Sequence, residues 1–374
     1  MRNKLLNRLT PTQFLQRHWQ KQPLLARNSL PQFTDLLSRR TLIELALLPE
    51  AEARLIMRNG RQWTVRHGPF RRQDFAKLPA RDWTLLVQSV DLLLPRARDL
   101  LACFDFIPYA RLDDLMGSYA PPGGGVGPHF DSYDVFLLQG EGQRRWQISS
   151  QRDLTLVDNA PLKILRRFRP TREWTLDSGD MLYLPPRYAH DGTALSDCIT
   201  LSIGFRAPSA QDLCSRFFDF LQDNLDARGL YTDPGLKPTR QPARITPQIS
   251  QGLLKMLEQA RWSRANMLRF IGEDLSTPKS QVVFAPPLRA LAAAAFVRAA
   301  RRSGLQLAAA SILLYDDRAF YMNGERCSPP VAARPLLLRF ANRRKLAPAV
   351  AMPAAAADIL YAWYRAGFVA PATD

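Results

Sequence analysis

The stretch Pro121–Ile148, PPGGGVGPHFDSYDVFLLQGEGQRRWQI, constrains this chain more tightly than any other part of it. Glycines at 123, 124, 125 and 127 allow the backbone to turn sharply and to lie close against other atoms. His129 and Asp131 follow at once. On a strand their spacing puts both on one face, shared with Tyr133, Val135, Leu137 and Gln139. The surrounding texture limits the host fold. Between Leu112 and Phe205 the chain breaks into short β-prone runs separated by Gly and Pro: Met116–Ala120, Tyr133–Gln139, Arg144–Ser149, Met181–Leu184 and Cys198–Phe205. Many short strands with such turns predict a barrel or a sandwich.

A later segment, SGDMLYLPPRYAHDG, delivers His190 just past a strand that ends at Pro185-Pro186. Two imidazoles and one carboxylate on one face of a metal leave neighbouring positions open, which suits a non-haem Fe(II) that must take both a cosubstrate and O₂. The chain holds only four histidines, so two in such contexts outweigh a plain structural His–Asp hydrogen bond beside a turn. His129, Asp131 and His190 are therefore the candidate metal ligands and the catalytic centre. Ligand types alone leave zinc and manganese open. His18, beside Trp19, and His67, before Gly68-Pro69, read as packing or turn residues. An oxygenase of this kind needs an electron source. 2-Oxoglutarate chelates iron at one end, so its far carboxylate requires a cation inside the barrel. Arg144 and Arg145 are the candidates, and only one of two adjacent strand residues can point inward.

The flanks are of a different kind. Thr10–Trp19 spaces Phe14, Leu15, His18 and Trp19 as a helix, and Arg54–Arg66 alternates about an Asn59-Gly60 turn as a hairpin. After Arg206-Ala207-Pro208 the pattern becomes helical, over Ala210–Arg228 and Gly252–Ile271, with a Pro-rich connector from Pro234 to Pro247. From about Val282 a basic small domain follows: a helix over Arg289–Arg302, a hairpin turning at Asn323-Gly324, and helices around Leu337 and Ile359. Helices with a two-stranded wing suit a winged-helix module.

With 46% hydrophobic and 23% charged residues over 374 positions, the composition is that of a soluble globular chain of more than one domain. Four scattered cysteines, with no CxxC pair, argue against a disulfide framework and a zinc site. The N-terminus lacks an apolar signal core, and the apolar runs are too short to cross a bilayer; a cytoplasmic protein without membrane association is expected. The net charge of +17 fits contact with rRNA or the ribosome surface, and fits equally an arginine-rich solvated surface.

The motifs WQKQPLL (Trp19–Leu25), DDLM (Asp113–Met116), PGGGVGPHFDSYDVFLLQG, GQRRW, LYLPPRYAHDG and SIGFRAP together resemble the bacterial JmjC/cupin ribosomal oxygenases, closest to the arginine 3-hydroxylase type acting on the large subunit. The likeness spans nearly the whole chain and is densest between Asp113 and Pro208. It implies an α+β fold: a JmjC-type double-stranded β-helix with flanking helices over residues 1–207, a helical dimerisation region over 208–275, and a winged helix over 276–374. It implies Fe(II), 2-oxoglutarate and O₂ as cofactor and cosubstrates, a 50S ribosomal protein hydroxylated at an arginine β-carbon, and a homodimer. It puts His129, Asp131 and His190 on the iron ligands and Arg144 on the cosubstrate's cation. Asp114, Met116, Tyr133 and Ser202 fall on the substrate pocket, and a buried guanidinium does require a carboxylate such as Asp114. Ala120 stands where a cosubstrate-binding hydroxyl is expected, which leaves Ser118, Tyr183 or a water to substitute. The rival expectations are a histidyl hydroxylase, which has no need of Asp114, and a ligand-sensing barrel with a nucleic-acid-binding winged helix.

Overall fold

The short strands between Leu112 and Phe205 supply the small antiparallel sheet and half of the large one. The computed structural model describes residues 2–60, 62–226 and 228–372, which fall into two units that divide at Ala207/Pro208. The first unit contains the helices α1 (Arg2–Leu5), α2 (Pro11–Arg17), α3 (Arg39–Ala46), α4 (Arg72–Ala76), α5 (Val90–Leu93) and α6 (Pro95–Ala102). Its strands are β1 (Leu24–Ala26), β2 (Ala53–Asn59), β3 (Gln62–His67), β4 (Trp83–Val87), β5 (Leu112–Ala120), β6 (Val135–Glu141), β7 (Arg144–Ser149), β8 (Arg172–Leu176), β9 (Met181–Leu184), β10 (Ala189–Ala194) and β11 (Cys198–Phe205). A large sheet runs β1-β9-β6-β11-β5-β4-β2-β3, and a small one runs β10-β7-β8.

Strand parity sorts the large sheet's faces. On β6, Phe136 and Leu138 join the main core with Phe14, Leu42 and Leu100 from the helices and Phe104 just past α6, while Val135 and Leu137 join Trp146 and Ile148 of the small sheet. That is the alternation expected of a sheet covered on both sides by different partners. Thr10 starts α2 with a capping box to Gln13, as its helical spacing predicts. The hairpin about Asn59-Gly60 forms as β2 and β3, with position 61 outside the described residues.

The N-terminal segment is fastened to the barrel by buried carboxylates, Asp134 foremost, with Asp180 holding Arg27 and the Asn28 amide. Asp134 is fully buried; it accepts hydrogen bonds from the Tyr183 hydroxyl (2.6 Å) and the Gln20 amide (3.1 Å) and pairs with Arg111 (3.3 Å). Trp19 stacks on Tyr183.

The second unit carries α7 (Ala210–Asn224), α8 (Pro247–Leu257), α9 (Arg264–Ser276), α10 (Ala293–Ser303), α11 (Arg334–Arg343) and α12 (Ala354–Arg365), with two three-stranded sheets. One sheet includes the hairpin turning at Asn323-Gly324. Two expectations are corrected here. The helix read over Ala210–Arg228 ends at Asn224, with Ala227 outside the described residues. The helix read over Gly252–Ile271 is two helices, because Ser263 and Asn266 form a capping box that starts α9 afresh.

Gly192 on β10 lies opposite Trp146 on β7, and a Cβ there would sit 2.6 Å from the indole ring. Gly192→Ala is expected to destabilise the first unit by about 1–3 kcal/mol through overpacking. Urea unfolding followed by tryptophan fluorescence measures it.

Candidate metal centre

The backbone brings the two histidines together before any side chain acts. His129 and His190 exchange both main-chain hydrogen bonds, at 2.9 and 2.8 Å, in an isolated antiparallel bridge. Their rings lie 4.2 Å apart between centroids. The Arg187 amide donates to the Asp131 carbonyl at 2.7 Å and holds the next turn in place. Gly125 makes the approach possible: a Cβ there would lie 2.3 Å from the Gly192 carbonyl oxygen. One expectation needs correction. After the bridge at His129 the chain is irregular, with a bend at Ser132-Tyr133, and β6 begins only at Val135. His129 and Asp131 converge through the bridge and the bend, not through strand alternation.

Each imidazole is oriented from behind. Nδ1 of His129 lies 2.8 Å from the Gly127 carbonyl oxygen, and Nδ1 of His190 lies 2.9 Å from that of Tyr188. Such carbonyl partners hold the proton on Nδ1 and leave Nε2 with a free lone pair, the usual outer support of a metal-binding histidine. His190 Nε2 stands 3.6 Å from Asp131 Oδ2, and the ligand atoms of all three residues lie within 4.8 Å of one another. Burial, then the neighbouring His129, push the His190 imidazole down to about 4, so it is neutral at pH 7. The donor set fits a metal of the non-haem iron kind.

A cavity of about 530 Å³ opens onto this triad between the two sheets. The large sheet supplies Met116 and Ser118 from β5, Val135 and Leu137 from β6, and Thr200 and Ser202 from β11; the small sheet supplies Arg144, Trp146 and His190. Arg144 is 5% exposed, and its Nε and Nη2 have no hydrogen-bond partner. Its guanidinium lies 5.7 Å from the centre of the Trp146 ring. Arg145 projects to the other face of β7 and does not line the cavity. Two unused donors on a buried cation mark a place for an anion, since leaving them unpaired is costly.

Asp114, Met116, Tyr133 and Ser202 all line the same cavity. The Asp114 carboxylate is buried and accepts from the Ser89 amide and hydroxyl, both at 3.0 Å. It thus also steadies the turn into α5. Tyr133 lies at the mouth, where desolvation and the carboxylates of Asp131, Asp114 and Asp113 push its phenol up and keep it protonated.

Tyr183 is a correction. Its ring belongs to the core on the far face of the large sheet, its hydroxyl is committed to Asp134 and the Gln20 amide, and it does not line the cavity. It has no way to reach a cosubstrate there. Ala120 is likewise outside the cavity, packed with Ala194 and Cys198. Ser118 does line it, with its hydroxyl directed at the Thr200 carbonyl (3.4 Å). Thr200 was missed. It pairs with Ser118 across β5 and β11 and shares a strand face with Ser202.

Fold and site together define a JmjC-type barrel with a His-Asp-His centre. Residues 99–213 match the JmjC domain family, and residues 259–370 match the ROXA-like winged helix. The chain is 36% identical over 277 residues to the ribosomal protein uL16 3-hydroxylase of Escherichia coli, covering 73% of each. It is 41% identical over 210 residues to a probable ribosomal oxygenase of Haemophilus influenzae, covering 55% of this chain and 52% of that one. The X-ray structure of E. coli ycfD superposes with a TM-score of 0.82 at 31% identity over 96% of this chain and 98% of that one. The same protein in complex with cobalt and 2-oxoglutarate superposes at 0.80, with 32% identity over 96% and 98% of the two chains. The chain belongs to the JmjC-type ribosomal oxygenases.

Tyr183→Phe should leave the Asp134 carboxylate short of a donor and cost about 1–3 kcal/mol of stability. The Michaelis constant for 2-oxoglutarate should stay at the wild-type value, as chemical denaturation and steady-state kinetics on one preparation can check.

Proposed function

We propose that the protein hydroxylates the β-carbon of an arginine residue in a 50S ribosomal protein, with Fe(II), 2-oxoglutarate and O₂. The observation that carries this reading is a single cavity holding the His129–Asp131–His190 triad, an unpaired buried guanidinium and a buried carboxylate. The relatives support it: one is named a uL16 3-hydroxylase, and another was solved with cobalt and 2-oxoglutarate. Nε2 of His129, Nε2 of His190 and the Asp131 carboxylate would hold the iron. When bound, iron with 2-oxoglutarate and O₂ supplies one oxygen atom to a C–H bond and releases succinate and carbon dioxide.

The remaining work belongs to the protein. Arg144 binds the far carboxylate of 2-oxoglutarate through the donors it leaves unused, and Ser118 contributes a hydroxyl in the same space, with Thr200 beside it. Asp114 meets the substrate guanidinium, and Met116, Tyr133 and Ser202 shape the channel around its stem. Leu137, Val135 and Trp146 exclude water, which strengthens both charge contacts. Substrate orientation then selects one C–H bond.

The second unit supplies a dimer interface within residues 208–275, a region whose end overlaps the winged-helix match that begins at 259. Phe217 and Phe220 of α7 are spent on Phe270 of α9 within the same chain. Leu254 and Leu257 of α8, 54% and 70% exposed, remain uncovered together with Phe218. Clustered apolar exposure of this kind marks an interaction face. The enzyme works in the cytoplasm, where its substrate is made. No helix among the described residues is long and apolar enough to cross a membrane.

Arg144→Ala should raise the Michaelis constant for 2-oxoglutarate by on the order of a hundredfold, while Arg145→Ala should change it little. A sensitive Arg145 would reverse the register on β7. Asp114→Ala should cut kcat/KM for an arginine peptide by about 2–5 kcal/mol equivalent, yet spare uncoupled 2-oxoglutarate decay. Arginine, lysine and histidine versions of one peptide decide the side chain, and preferential oxidation of the histidine peptide would refute the arginine assignment. In light scattering at micromolar concentration the wild type should run as a dimer, and Leu254→Glu with Leu257→Glu as a monomer.

A further inference from the structure

The connection from β7 to β8, residues 150–171, forms a built rim at the cavity mouth. Its arms pair through a Leu156–Leu165 bridge, and the Leu165 amide donates to the Pro128 carbonyl at 2.8 Å, one residue from His129. Ile164 and Leu165 are buried beneath it, while Pro161, Leu162 and Lys163 line the cavity. The Gln151 side chain clamps the base, donating to the Arg167 carbonyl (2.9 Å) and accepting from the Arg169 amide (2.9 Å). The rim is therefore held in one shape rather than loosely draped.

Its charge is one-sided. Arg152, Lys163, Arg167 and Arg169 are all exposed, and among the described residues none of them has a carboxylate within ion-pair distance. Asp158 is taken by Arg166 at 2.5 Å, and Asp153 caps Thr155. No aromatic side chain of the rim is exposed, so the surface offers cations without a stacking platform for bases. Inside the mouth carboxylates join the cations, with Asp113 and Asp114 among the lining residues beside Arg54 and Arg144. A cationic collar around a pocket that receives a cationic side chain is poorly suited to a free basic protein, because like charges slow its approach. It suits a cationic side chain that arrives flanked by phosphates.

We propose that the β7–β8 rim docks the phosphodiester backbone of RNA, so that the enzyme meets its target side chain on a protein already joined to RNA. This rests on the ribosomal-protein reading above and adds the state in which that protein is presented. Guanidinium groups grip phosphate through paired hydrogen bonds, and each phosphate neutralised releases counterions. Binding is independent of base sequence and steeply dependent on salt.

The test is fluorescence anisotropy of the full chain with a labelled RNA hairpin over a salt series. The expected result is a linear loss of log affinity with log salt, with a slope of about −0.7 to −0.9 per phosphate contact. Arg167→Gln with Arg169→Gln should make the slope shallower by about 2 and weaken binding at least tenfold, with thermal melting to confirm the fold. Arg301→Gln with Arg302→Gln, on the exposed end of α10, should bind as the wild type does. Absence of RNA binding, equal loss in the α10 variant, or equal competition by polyglutamate would overturn the proposal, the last in favour of an acidic protein. A second arm joins the arginine peptide to the hairpin: its kcat/KM should rise above that of the bare peptide in the wild type but not in the Arg167/Arg169 variant. Turnover of the bare peptide needs no RNA and tests the hydroxylase reading separately.

Discussion

The two-bond backbone bridge between His129 and His190 is the constraint on which the rest depends. It joins a glycine-rich approach segment to the start of β10 and puts two imidazoles side by side in a chain that has few. A metal site assembled from mobile side chains would lose their freedom on binding; here the main chain fixes them beforehand. Carbonyl oxygens of Gly127 and Tyr188 then choose the tautomer. Removing space at Gly125 or Gly192 would disturb this bridge before touching a ligand atom.

Around that bridge the barrel separates two electrostatic tasks. Arg144 stands buried with open donors on the small sheet, and Asp114 stands buried on the large sheet, anchored by Ser89. An anionic cosubstrate and a cationic side chain can thus be held in one cavity at different walls. In a low-dielectric interior a buried cation with open donors is costly, so Arg144 makes a strong demand for an anion. Asp134 does the parallel structural task on the far face, tying Gln20, Arg111 and Tyr183 into one network.

Much of this was legible in the residues, and the failures have physical causes. Parity on β6 correctly divides Val135 and Leu137 from Phe136 and Leu138, since the two faces meet different partners. On β7 parity permits only one inward arginine, and burial falls on Arg144. Parity fails on β9, where Met181–Leu184 is buried throughout, so the pattern cannot say which face meets the cavity; Tyr183 was misplaced for that reason. Strand logic also fails at His129 and Asp131, because a bridge and a bend achieve what alternation was expected to do. The break between α8 and α9 was written in Ser263 and Asn266, but continuous apolar spacing masked it. Pairing of β5 with β11, which sets Thr200 beside Ser118, is a long-range contact that local pattern does not contain.

Oxygen transfer is assigned to the His129–Asp131–His190 centre. The most direct measurement is intact-mass analysis of ribosomal proteins after incubation with enzyme, Fe(II) and 2-oxoglutarate under heavy-isotope dioxygen. The expected result is one labelled oxygen on a single arginine residue, a second in succinate, and neither in a folded Asp131→Ala variant, which lacks the triad's only anionic ligand. Label drawn from water, absence of any mass gain, or undiminished turnover by Asp131→Ala would contradict it.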